Sequence, residues 1–137
     1  MEAIKKCVNK CSKKYGEQMY FLARIIIGFM FFAHGAQKLF GWFSGSGVGL
    51  LGIPGIAGTI EFVVGIGIFL GLYTSIMSMA GSLLMIAAYF MAHAGNGWNP
   101  LLNGGEVALL YLAGFLIMTL KGNGIWNLES KLSKKRG

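Results

Sequence analysis

Acidic side chains are almost missing from this chain: five in 137 positions, with charged residues of both signs making up only 12%. So little charge excludes an ordinary soluble domain of this length. A hydrophobic share of 55% with ten phenylalanines excludes disorder as well. Cysteine is scarce too. Cys7 and Cys11 are the only two, four residues apart on a basic segment, and two thiols cannot complete a tetrahedral zinc site. With a cytoplasmic N-terminus they are expected as free, reduced thiols, with lipidation, an intersubunit metal or redox pairing as the other roles open to them. The sequence contains no flavin, haem-attachment or iron–sulfur motif, so no metal ligand set is assigned.

What the chain has is long apolar runs. About 20 apolar residues suffice to cross the hydrocarbon core as a helix. Spans are expected over about 19–40, 58–72, 76–93 and 106–120, giving an all-α, integral membrane four-helix bundle over 19–121. Residues 1–18 form a basic, helical arm at the membrane surface, and 122–137 a basic tail. The first apolar run is too long for a secretory signal core and ends in ionisable residues, so it reads as a retained helix. Residues 42–57 and 94–105 are rich in glycine and uncharged, and read as loops or, for the first, a shallow re-entrant segment. Met77, Met79, Met85 and Met91 read as core filler, and the Gly67/Gly71 pair as helix packing.

The net charge of +7 does not point to nucleic acid, because its positions flank the apolar runs. Lys5, Lys6, Lys10, Lys13, Lys14 and Arg24 precede or enter the first span; Lys121, Lys131, Lys134, Lys135 and Arg136 follow the last; only Lys38 lies between. Lys and Arg concentrate on cytoplasmic segments, so both termini are expected inside a plasma membrane, held by anionic headgroups. Tyr20, Tyr73 and Trp126 then fall at the inner ends of the helices, Trp42 and Trp98 at the outer ones.

With that topology the outer half of the bilayer receives His34, Gln37 and Lys38 from the first span, Glu61 from the second, His93 from the third and Glu106 from the fourth. Asn96, Trp98 and Asn103 lie just above. The inner half has only Arg24, placed to snorkel toward the headgroups. Ionisable groups inside a membrane are costly and generally face a bundle interior or cavity, where they mark substrate or proton paths. Histidine titrates near neutral pH, and carboxylates can join it in proton transfer. The bland alternative is mutual pairing, Lys38 with Glu61 or Glu106, that merely sets helix register. A displacement of 59 residues also superposes Ile27, Phe31, Ala33 and His34 on Ile86, Phe90, Ala92 and His93, a weak internal repeat.

These residues carry a resemblance. Arg24-Ile-Ile-Ile-Gly-Phe-Met-Phe-Phe-Ala-His-Gly-Ala-Gln-Lys-Leu-Phe-Gly41, Glu61-Phe-Val-Val-Gly-Ile-Gly67, Leu70-Gly-Leu-Tyr-Thr74 and Asn103-Gly-Gly-Glu106 together resemble the DoxX family of small four-span membrane proteins, over about residues 20–128. The resemblance implies a four-helix bundle and membrane redox work, since some members are described as subunits of thiosulfate:quinone oxidoreductase. The family's polar motif maps onto His34, Lys38, Glu61 and Glu106. The expectation is therefore a subunit of a quinone-linked oxidoreductase. His34, Lys38, Glu61, His93 and Glu106 would be its reactive groups, and Gln37, Trp98 and Asn103 would help hold the quinone. Electrons would come through a soluble or membrane redox partner, and a homo-oligomer is left open. A non-catalytic scaffold, with the polar cluster as a lock, is the competing expectation; a b-type haem between His34 and His93 is a lesser one.

Overall fold

A computed structural model describes residues 1–43, 47 and 49–135 of the protein, and all regular structure among them is helical. Residues 44–46 and 48, within the neutral 42–57 segment, and Arg136 and Gly137 of the tail lie outside the described residues. The helices run α1 (Glu2–Phe40), α2 (Gly52–Leu70), α3 (Thr74–Ala88), α4 (Pro100–Asn103), α5 (Glu106–Lys121) and α6 (Leu128–Ser133). A π-turn, Tyr89–His93, and a 3₁₀ turn, Ala94–Asn96, extend α3. Three helical stretches are long and apolar enough to cross a membrane: α1, α2 and Thr74–Asn96. The fourth long helix, α5, has 16 residues.

Two boundaries differ from the sequence reading. The basic arm continues directly into the first span: α1 runs unbroken for 39 residues, and its residues 2–16 are exposed. Only Gly16 could weaken the junction, and one helical glycine costs about 1 kcal/mol, too little to break a helix. The second helix starts at Gly52 rather than near residue 58. Pro54 falls in its first turn, where a missing N–H costs no hydrogen bond, so the proline that read as loop belongs to the helix.

Helices α1 and α2 pack backbone to backbone through glycines seven residues apart on each. A Cβ at Gly28 would meet the Phe69 backbone nitrogen at 2.6 Å; one at Gly35 would collide with the backbone of Phe62, and one at Gly65 with that of Phe32. Gly58 completes the set, its added Cβ 2.9 Å from that of Lys38. The Gly67/Gly71 pair does something else. Gly67 accommodates Met77, while Gly71 ends α2 in the left-handed region at φ 67°. Phe31, Val64, Ile68, Met85, Phe115 and Met118 form the core. Of the methionines read as filler, Met85 is buried there and Met77 packs against it, but Met79 and Met91 face outward. Leu22, Ile26, Val63, Leu83, Leu110 and Ile117 are likewise exposed, an apolar perimeter suited to lipid.

The end of the bundle holding Arg24 is closed by the chain after α5. Arg24 does not snorkel: it is fully buried, donating to the carbonyls of Asn123 and, at 3.0 Å, Trp126. The Asn123 side chain bonds the Thr74 backbone N–H (2.9 Å) and Glu129 (2.8 Å), tying α3 and the tail together. The non-helical turn offers free carbonyls that the guanidinium fork satisfies better than a headgroup would.

Candidate functional site

The opposite end holds a cavity of about 190 Å³ lined from every long helix: Phe31, His34 and Lys38 of α1, Glu61 of α2, Met85 and Ala88 of α3 with His93 of its π-turn, and Val107, Ala108 and Tyr111 of α5. Four of the five expected reactive residues therefore share one pocket. His34 and Lys38 share a face of α1 because they are four residues apart.

Glu61 is 4% exposed, and its Oε1 accepts from Lys38 Nζ at 2.6 Å. The other carboxylate oxygen, Oε2, is buried and has no hydrogen-bond partner among the described residues. Lys38 keeps 39% of its side chain exposed, so the cation bridges the cavity and the surroundings. His93 is held from behind. Its Nδ1 lies 3.1 Å from the carbonyl oxygen of Asn103, which can only accept, so Nδ1 carries a proton and, in the neutral imidazole, Nε2 is the acceptor. The π-turn ending at His93 shifts it from the position a continued α-helix would give, as π-turns do at many functional sites. Gly104, in the left-handed region at φ 76°, passes close to the imidazole, 3.7 Å from Nδ1 to the Cβ it lacks.

The remaining expected residues are placed differently. Glu106 is exposed at the first position of α5 and does not line the cavity. There its charge favours the helix N-terminus. Gln37 lines a separate outer groove with Phe29, Met30, Ala33, His34 and Phe43. Trp98 is 76% exposed, its ring against Phe90 and its carbonyl accepting from the Tyr89 hydroxyl at 3.1 Å. Asn103 is buried as a loop organiser, its side chain bonding the Gly97 carbonyl (2.6 Å) and the Gly105 N–H (2.8 Å). It shapes the site through His93 without lining it.

Sequence reasoning missed Tyr111, whose ring stands edge-on to His34 with centroids 5.8 Å apart and is stacked on Phe115. A lone polar-tipped aromatic in the middle of an apolar span was its signal. Phe31, the other aromatic wall, packs against both Tyr111 and Phe115.

A helical bundle with an apolar perimeter, three helices able to span a bilayer and an ion pair and two imidazoles lining one pocket between its helices defines a small membrane protein with a polar site. The chain belongs to the DoxX family: residues 19–94 match it. That stretch contains His34, Lys38, Glu61 and His93, and ends before Asn103 and Glu106. An uncharacterized protein of Haemophilus influenzae is 41% identical over 125 residues, covering 85% of this chain and 93% of its own length. No solved structure matches.

Proposed function

We propose that the protein is a subunit of a quinone-linked oxidoreductase in the plasma membrane, with four spanning helices, both termini cytoplasmic and the cavity in the outer half of the bilayer. The observation that carries the reading is convergence: α1, α2 and the π-turn after α3 deliver His34, Lys38, Glu61 and His93 to one pocket otherwise walled by Phe31, Met85 and, from α5, Tyr111. A flat ring with oxygens at its edges suits such a mixture of aromatic wall and few polar groups. A quinone carries two electrons and two protons, and the chain's part is to hold the ring and handle the protons. Lys38 donates to a ring oxygen while remaining paired with Glu61, and Glu61 and His93 Nε2 take or return protons. The groove on the outer side of His34, with Phe29, Met30 and Phe43, offers an apolar seat for a lipophilic tail. Anionic headgroups bind the basic arm and tail, and electrons pass to or from a redox partner. A b-type haem, whose macrocycle is several times larger than a quinone ring, fits a cavity of about 190 Å³ less well.

A scaffold with no chemistry is the second reading, favoured by the 2.6 Å Lys38–Glu61 pair, which by itself locks the register of α1 against α2. Extraction in mild detergent separates the two. A quinone or its reduced diphenol should co-purify with the wild-type chain and be lost from Lys38→Met and Glu61→Gln while helicity and elution volume are kept. Loss of the fold in both variants, with neither form in the wild type, would leave the lock alone.

A further inference from the structure

Resting on the quinone reading, we infer that the cavity selects the reduced, hydroxyl-bearing form of its ligand, a para-diphenol, over the quinone. The argument is a count of donors and acceptors. Glu61, ionised in its pair with Lys38, offers only acceptors; one of its oxygens is taken by Lys38, and Oε2 is buried without a partner. As a neutral imidazole His93 spends its one donor on the Asn103 carbonyl, so toward a ligand that form has only the Nε2 lone pair. These groups come from α2 and from the π-turn after α3, and both line the pocket. A diphenol brings a donor to each. A quinone brings only carbonyl oxygens and would set acceptor against acceptor in a buried site, leaving both sides unpaired. The remaining polar groups do not oppose this bias. The Lys38 ammonium donates equally well to a hydroxyl or carbonyl oxygen, His34 can serve as donor or acceptor according to its tautomer, and the Tyr111 hydroxyl, which also lines the pocket, can do either.

The test measures equilibrium binding to the purified full chain in lipid nanodiscs under anaerobic conditions. The probes are methylhydroquinone, methyl-para-benzoquinone and the di-O-methyl ether of methylhydroquinone, which keeps the ring but cannot donate. The diphenol should bind at least about tenfold tighter than either other probe, as expected for a hydrogen bond to a charged acceptor. In Glu61→Gln the side-chain amide can turn a donor toward the ligand, so the preference should fall to near unity or reverse. Should that variant not fold, the methyl ether asks the same question of the wild-type protein. Quinone or ether binding as tightly as the diphenol would overturn the selectivity while leaving the quinone site standing. If none of the three binds, the quinone site itself is wrong and the inference falls with it.

Discussion

Glu61 and Glu106 carry the same side chain and stand in similar apolar surroundings along the chain, yet one is an interior ion-pair partner and the other a solvent-facing helix start. The difference lies in which cation the register of α1 brings near. Removing the cation should therefore be costly at one site only. Lys38→Met leaves the Glu61 carboxylate buried without its partner, and the thermal unfolding of the detergent-solubilised protein, followed by helical circular dichroism, should show a loss of about 1–3 kcal/mol. Adding Glu61→Gln should recover most of that loss, because the uncompensated charge disappears with it. Glu106→Gln should stay within about 0.5 kcal/mol. A destabilised Glu106→Gln, or no recovery in the double variant, would contradict the pairing. That His34, Lys38, Glu61 and His93 would lie near one another was legible because ionisable groups stand out in apolar spans. Tyr111 was not, because an aromatic ring there looks like core.

Among the helices, the decisive feature is the glycine spacing rather than any single motif. Gly28 and Gly35 on α1 meet Gly58 and Gly65 on α2, and the close approach carries Lys38 within reach of Glu61. Gly35→Ala would drive a methyl into the Phe62 backbone, which cannot yield without separating the helices. Gly16 presents the reverse case: an added Cβ meets nothing within 4 Å. Gly16→Ala should raise stability by up to about 1 kcal/mol through helix propensity alone, whereas Gly35→Ala should lower it and weaken the Lys38–Glu61 pair. Unfolding midpoints of the two variants, compared side by side, check both signs. In so glycine-rich a chain the seven-residue spacing is one of many. The nearby Gly67/Gly71 pair has the familiar four-residue spacing and serves a side-chain seat and a helix end instead.

At the scale of the molecule the two ends of the bundle are polar in different ways. One is sealed by Arg24 under the Asn123–Trp126 turn; the other holds the cavity. The orientation proposed above, which puts the cavity in the outer half, rests on the basic residues at both termini. Cys7 and Cys11, exposed on the N-terminal part of α1, report it directly. In intact cells a membrane-impermeant maleimide should leave both unlabelled until the inner face is opened. Trp98→Cys, in a background with both native cysteines changed to serine, should react at once. Labelling in the opposite order would invert the orientation and move the cavity to the inner half.

The helical class, the suitability for a membrane and the family were settled by the order of residues along the chain, because apolar run length, charge position and a local polar motif are all local properties. The identity of the acidic partner, the sealing of Arg24, the role of Asn103 behind His93 and the place of Tyr111 came only with the tertiary structure. Each depends on how one helix is rotated and shifted against another. That relation is set here by backbone contact at four glycines, whose missing side chains give no sign, in the sequence, of what they face.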